Sequence, residues 1–379
     1  MADYDAIIIG AGHAGIEAAL ACARMGCSTL LVTLSNKTIG HMSCNPAIGG
    51  VGKGQLVKEI DALGGEMAKA ADACGIQFRI LNASKGAAVQ SSRAQIDRDL
   101  YKKYMQQALI GQDNLELRQA RVERLIVEDN CISGVITAEK DTLRAACVVL
   151  APGTFLDGLI HIGLKHFSAG RINEPAAVAL SNNLRGLGFH LLRFKTGTCA
   201  RLDKKSIDFS KLIVQHGDIS PRPFSFSTKN PPQKQVPCHI TYTNKNTHKI
   251  ILDNLGRSPL YAGVIKATGV RYCPSIEDKV VKFKDKERHQ VFLEPEGLDV
   301  DDIYPNGLAT SLPEDVQLAM LHTIEGLEEA KVLHFGYGIE HTVVEPRQLY
   351  PTLETKLIKN SYLACQINGT TVYEEAAAQ

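Results

Sequence analysis

Apolar positions near the start of the chain come in short runs broken by glycine. Ile7-Ile8-Ile9 closes on Gly10, the pattern of a strand buried on both faces of a parallel sheet. The stretch Ile16 to Met25 is rich in helix formers, with Gly26 placed as the residue that ends a helix. Thr29-Leu30-Leu31-Val32 reads as a second strand, so the first thirty-five residues form a βαβ unit. A loop from Ile39 to Gly54 then holds five glycines around Ser43-Cys44-Asn45-Pro46.

Two helices follow, one with Leu56, Ile60 and Leu63 on a face, the other with Ile96, Leu100 and Tyr104. From Leu115 to Leu150 the apolar residues alternate about a turn at Asp129-Asn130, which predicts a β-meander closing on Val148-Val149-Leu150. Glu174-Pro175 starts a helix ended near Gly186 or Gly188. Residues 199–275 change character, with Pro221, Pro223, Pro231, Pro232 and Pro237 among polar residues, and read as a loop-rich insertion. Pro313 opens a helix with Val316, Met320 and Ile324 on one face. The expected division is 1–198 as the first part of an α/β domain, 199–275 inserted, and 276–379 returning to it.

The composition sets bounds on this picture. A chain of 379 residues with 44% hydrophobic and 22% charged residues has the balance of a soluble globular protein of two to three units. It is long enough to bury a core without disulfide or metal staples, and disorder and collagen-like architecture are excluded. Net charge is +1, so no global basic footprint announces nucleic acid, although a local patch stays possible. No charge-free apolar run reaches bilayer length, and the acidic start Asp3-Tyr4-Asp5 is not a secretory signal. Ten cysteines without an export signal predict mostly free thiols in a reducing, cytoplasmic setting, and the lack of a CxxC pair argues against a structural zinc site. The twelve histidines show no HExxH spacing, and no metal site is expected.

Gly10-Ala11-Gly12-His13-Ala14-Gly15 is a GxGxxG fingerprint between a strand and a helix. Its glycines allow a tight turn and let a pyrophosphate approach the helix N-terminus; the plainer alternative is a turn that packs helix on strand. The ribose-binding acid of a simple NAD site is missing, since the second strand runs into Thr33-Leu34-Ser35-Asn36. Wrapping plus meander point instead to a flavoprotein first domain. Gly52-Lys53 imitates a phosphate loop, but Ala47 and Gly54 break the pattern and exclude an ATPase. Backbone donors of that loop near a cofactor remain open.

Cys44 lies in the glycine loop and Cys273 follows Arg271-Tyr272, where a nearby cation favours the nucleophilic thiolate. Cys22, Cys131 and Cys147 read as small buried hydrophobes. Lys279, Lys282, Lys284, Lys286 and Arg288 interleave with acids and read as a solvated face, as do Arg201, Lys204 and Lys205.

Taken together, Gly10–Gly15, Met42-Ser-Cys-Asn-Pro-Ala-Ile-Gly-Gly50, Arg271-Tyr-Cys-Pro-Ser-Ile-Glu-Asp-Lys279, Phe292-Leu-Glu-Pro-Glu-Gly297 and Gln366-Ile-Asn-Gly-Thr-Thr371 strongly resemble the GidA/MnmG family. The similarity runs from Tyr4 to Gln379. It implies an α/β fold: a FAD-binding Rossmann-like domain of glutathione-reductase type with an inserted loop-rich α/β domain. It also implies a FAD-dependent enzyme that modifies carbon 5 of the tRNA wobble uridine with a carboxymethylaminomethyl or aminomethyl group. Methylene-tetrahydrofolate and glycine or ammonium would supply that group, NADH would reduce the flavin, and a GTPase of the MnmE type would be the partner in a heterotetramer built on a homodimer.

Carried over by motif, FAD binding falls on Gly10, Ala11, Gly12, His13, Ala14, Gly15, Val122, Ala177 and Gln366. The nicotinamide-associated segment runs from Gly269 to Phe283 and includes Arg271, Tyr272 and Pro274. The two functional cysteines are Cys44 and Cys273, in roles left open between them. The chain departs from the family at Cys365 and Val372, where glycine is usual, and at Ala177, where serine is expected. It departs also at Pro152, Cys199-Ala200 and Val270. Family members continue into a helical C-terminal domain, which this chain is expected to lack. Two other readings stand beside this one: a folate- and FAD-dependent tRNA uracil-5-methyltransferase, and a non-catalytic binding module that keeps only the fold.

Overall fold

A computed structural model describes residues 2–231, 234–270 and 273–379. The chain opens as the apolar pattern predicts, with strand Tyr4–Ile9, helix His13–Arg24 and strand Thr29–Thr33. Ile7, Ile8, Leu30 and Leu31 have no exposed surface, because both faces of this sheet are covered. Leu115–Gln119, Thr29–Thr33, Tyr4–Ile9 and Thr142–Leu150 lie side by side and parallel. Cys131–Thr137 and Val122–Glu128 continue the sheet antiparallel, and Ser361–Leu363 returns to pair with residues 148–150. The expected meander is therefore made by residues 122–150, turning at Asp129 and Asn130 with φ of 51° and 58°. Leu115–Gln119 belongs to the parallel edge instead.

Three smaller sheets complete the fold, which is mixed α/β. Ala47–Gly49, Ser91–Ile96 and Gly75–Leu81 form one, beside the glycine loop. A five-stranded sheet centres on Leu191–Thr198 and Tyr337–Val344. A six-stranded sheet joins Arg201–Asp203, Ile213–Gln215 and Cys238–Tyr242 to Gln290–Pro295, Asp302–Asn306 and Val332–His334. Its core includes Leu202, Ile251, Ile276, Val280, Leu293, Val316 and Met320. Residues expected in the return segment thus pack with those of the insertion, and the stretch read as loop-rich carries regular elements.

Two helix faces differ from the predicted ones for local reasons. In helix Lys53–Ala62 the buried side is Val57 and Ile60, while Leu63 stands past the helix end, 90% exposed. Asp97 accepts from the Asp99 and Leu100 amides and starts helix Arg98–Ile110, so Ile96 ends a strand. The inward face there is Tyr101, Met105 and Leu109, and Leu100 is exposed. The helix expected from Glu174 spans Val178–Gly186, and Glu314–Leu321 buries Val316 and Met320 as expected. Among the described residues no helix is long and apolar enough to cross a membrane.

Candidate functional site

The fingerprint turn builds the first cleft. Gly10 ends the first strand at φ 101°, and a Cβ there would strike the Ala151 carbonyl. A Cβ on Gly15 would strike the Gly10 carbonyl, so this glycine lets the helix sit against the strand end. Gly12 differs: its missing side chain faces open space, and it caps helix His13–Arg24 without a side-chain acceptor. The first amides of that helix are left to a ligand, the arrangement that favours an anion.

Around this point opens a cleft of about 1060 Å³ lined by Gly10–Ala14, Val122, Ala151, Ala177, Cys365, Gln366 and Val372. The expected cofactor residues therefore converge here, with Gly15 packing behind the turn. His13 packs at a tilt against Tyr373 with ring centres 4.4 Å apart. Burial, helped by the Lys53 charge, pushes its pKa down to about 3, so it is a neutral wall. Ala177 caps helix Val178–Gly186 without a side-chain hydrogen bond, where serine would supply one. Cys365 takes φ of 72°, the left-handed conformation that explains a glycine preference at this position. The open Gly12, the uncapped helix and the cleft's length of apolar wall fit a dinucleotide.

A second cavity of about 1410 Å³ shares Ser43, Thr154, Phe155, Arg171, Gln366 and Val372 with the first. Cys44 reaches it from the glycine loop and Cys273 from the turn before helix Ile276–Lys282, which Ser275 caps. Both thiols face one acceptor, the carbonyl of Gly197 on the strand between them. Its oxygen is 3.9 Å from Cys44 Sγ and 3.3 Å from Cys273 Sγ. Burial pushes the Cys273 thiol up and the neighbouring Cys44 adds to this, while Lys195 and Lys279 pull the other way.

The loop that presents Cys44 is clamped on three sides. The Cys44 amide donates to Tyr373 Oη at 2.7 Å, and Arg201 Nη2 donates to the Cys44 carbonyl at 3.3 Å. Arg201 in turn pairs with Glu296 at 3.0 Å, and Arg98 binds the same carboxylate. Lys53 Nζ donates to the Val372 carbonyl at 2.6 Å and pairs with Glu374 and Glu375. Gly49 N–H goes to Glu374, and Gly50 N–H to Ser92 O. Those two backbone donors of the loop are spent within the protein, which removes them from the possible cofactor contacts.

Two basic residues read as solvated are not. Arg201 is buried. Lys279 lines the second cavity and donates to the Gly307 carbonyl at 3.0 Å, and burial lowers its pKa. Its neighbours Lys282, Lys284, Lys286 and Arg288 are exposed, as are Lys204 and Lys205. Pro274 and Val270 line the second cavity, whereas Gly269 is exposed on an edge strand opposite Lys195, outside both cavities. Arg271 and Tyr272 lie outside the described residues. Gly197, Lys195 and Tyr304 escaped the sequence reading because each sits in an ordinary strand and meets the thiols only through tertiary pairing.

The arrangement matches known proteins along its whole length. A family model described as glucose inhibited division protein A matches residues 5–379. The tRNA uridine 5-carboxymethylaminomethyl modification enzyme MnmG of Pelobacter propionicus is 57% identical over 377 residues, covering 100% of this chain and 60% of the relative. That of Thermodesulfovibrio yellowstonii is 58% identical with the same coverage. The crystal structure of Aquifex aeolicus GidA superposes with a TM-score of 0.95 at 55% identity, over 99% of this chain and 63% of that one. The chain thus spans 60% of the length of these curated relatives. With its fingerprint turn, its paired thiols and this likeness from end to end, the chain belongs to the glucose inhibited division protein A (GidA) family.

Proposed function

We propose that this protein holds FAD in the first cleft and takes part in modifying carbon 5 of a tRNA wobble uridine in the second. The observation that carries this reading is the pair of thiols facing one carbonyl in a cavity that shares a wall with the dinucleotide cleft. The relatives' names, which specify 5-carboxymethylaminomethyl modification of tRNA uridine, support it.

Residues 10–15 would hold the pyrophosphate, with Val122, Ala177 and Gln366 along the walls. Bound there, the flavin supplies two-electron redox chemistry, with NADH as its reductant. The chain's own part is thiol chemistry. One thiolate adds to carbon 6 of the uracil: an S–C6 bond forms and the C5=C6 pair moves to carbon 5, which then takes up the one-carbon unit. Loss of the C5 proton with tetrahydrofolate as the leaving group gives an exocyclic methylene, glycine or ammonium adds to that carbon, and expulsion of the sulfur restores the ring; the second thiol would carry the proton. Methylene-tetrahydrofolate is the proposed one-carbon donor and a GTPase of the MnmE type the proposed partner, in a dimer-based assembly in the cytoplasm.

The methyltransferase and the non-catalytic module remain the alternatives to beat. Purified protein supplied with FAD should retain a flavin spectrum through desalting, and NADH should bleach it; no retained flavin at micromolar cofactor overturns the reading. In the complete protein, Cys44→Ser and Cys273→Ser should each abolish the modification, read by nucleoside mass spectrometry, with flavin still bound. Normal modification by both variants removes the cysteine assignment, and loss of ribothymidine in a deletion strain favours the methyltransferase.

A further inference from the structure

We infer that Tyr304 is a positioning residue for Cys44: its hydroxyl donates to the Cys44 sulfur and makes Cys44, not Cys273, the thiol that ionises first. This deepens the proposed function and rests on it for what the thiols do, but not for which of them is the more acidic.

Tyr304 lies on strand Asp302–Asn306, 2% exposed, with its oxygen 3.4 Å from Cys44 Sγ. That hydrogen bond can run either way while Cys44 carries its proton, and only from Tyr304 once Cys44 is a thiolate. The backbone N–H of Cys199 points at the same oxygen from 3.5 Å, and an amide can only donate. The amide cannot take the hydroxyl hydrogen, which stays available to a sulfur, and the Cys199 side chain is also hydrogen-bonded to Tyr304. Two sulfurs face it, and they differ. Burial pushes the Cys199 thiol up to about 12, so it stays protonated and is a weak acceptor. A Cys44 thiolate is a strong one.

Cys273 is in the opposite position. Its sulfur is 3.3 Å from the Gly197 carbonyl, which can only accept. That contact rewards S–H and repels a thiolate. Cys44 meets the same carbonyl at the longer distance of 3.9 Å.

Charge acts on both thiols: Lys195 and Lys279 pull the Cys273 pKa down against its burial, and Cys44 has its own charged surroundings. The ionisable groups that act on it from the elements packed around it are Arg201, Tyr304, Cys199, Cys273, Tyr337 and Tyr373. Burial holds the three tyrosines up, so they are neutral donors or acceptors. Arg201 is the cation held against the Cys44 carbonyl, and Lys53, Arg171 and Lys279 also line the cavity that Cys44 reaches. The Arg201 guanidinium lies 4.7 Å from the centre of the Tyr304 ring. It draws electron density from the phenol, which strengthens the O–H as a donor.

The test is the rate of alkylation by iodoacetamide at each thiol, followed by peptide mass spectrometry from about pH 6 to about pH 10, around the ordinary thiol range. In the unaltered protein Cys44 should reach half its maximal rate at a lower pH than Cys273. Tyr304→Phe, which removes one oxygen, should raise the Cys44 midpoint by about one pH unit and leave the Cys273 midpoint in place. An unmoved Cys44 midpoint overturns the inference, and so does Cys273 as the first thiol to ionise in the unaltered protein. That ordering needs no variant, so it decides the question even where Tyr304→Phe folds poorly. Neither readout involves flavin or tRNA, so failure of the proposed function shows in flavin retention and nucleoside analysis, not here.

Discussion

Lys53 and Glu374 lie 321 residues apart in sequence and pair at 2.9 Å. The pair ties the glycine loop that presents Cys44 to the segment that carries Val372 and Tyr373. Glu374 is 2% exposed and Lys53 30%, so removing the lysine leaves a nearly buried carboxylate unmatched. Breaking a buried pair costs about 3–5 kcal/mol, and the partial exposure of Lys53 lowers that to about 2 kcal/mol for Lys53→Met. Urea unfolding should show this loss, with part of it recovered in Lys53→Met/Glu374→Gln. Burial pulls the lysine pKa down, but Glu374 and Glu375 outweigh it and hold it raised. A base raised in the folded state stabilises at neutral pH and loses that contribution only as pH climbs past the ordinary lysine range, about 10.4.

The fingerprint glycines should separate binding from folding. Nothing occupies the space beyond Gly12, so Gly12→Ala should cost no more than about 1 kcal/mol, the difference between glycine and alanine as helix caps. On the proposed function its methyl group would stand where the pyrophosphate is held, and flavin retention should fall sharply. Gly15→Ala drives a methyl into the Gly10 carbonyl and should cost about 3 kcal/mol in unfolding experiments. Equal stability of the two variants would contradict these separate roles.

How much of this was readable in advance depends on the range of the interaction. The first strand, the turn and helix His13–Arg24 were legible because their signals lie within a few residues of one another. The helix after Ile96 was misplaced because apolar spacing alone ignores Asp97, whose carboxylate fixes where the helix starts. Leu63 looked like the next position of a buried stripe, but the helix ends at Ala62. Cys44 and Cys273 could be picked out by their loops, whereas Tyr304 could not. It meets Cys44 across 260 residues, and only the fold brings that strand to the glycine loop. Arg201 looked solvated because its partner, Glu296, is 95 residues away.

Acid should weaken the folded state through His13. Burial, then Lys53, lowers its pKa to about 3, while the unfolded chain takes the proton near its ordinary value of about 6.5. A base depressed in the fold leaves stability untouched above that value and drains it as pH falls below. His13→Phe keeps a ring against Tyr373 and Tyr101 but cannot be protonated. Between about pH 6 and pH 4 the wild type should lose about 1.4 kcal/mol per pH unit relative to this variant. A constant difference across that range would show that His13 is protonated in the fold.

The departure at Cys365 makes a prediction with an inverted sign. Its φ of 72° lies where side chains cost about 1–3 kcal/mol and glycine costs nothing. Comparing Cys365→Gly with Cys365→Ala removes the sulfur from both, so the two differ by one methyl group against the cluster of Ala14, Ala151 and Ala376 and by the backbone preference. At an ordinary φ alanine would be the more stable by about 0.5–1 kcal/mol, because glycine has more freedom to lose on folding. Here the strain exceeds that entropy, and glycine should be the more stable by about 1 kcal/mol in urea midpoints at equal slope. Cys365 also lines the first cleft, so the glycine variant, with the wall relaxed and thinned, should retain flavin at least as well as the parent. If alanine proves the more stable, backbone strain is not what separates this chain from a glycine at that position.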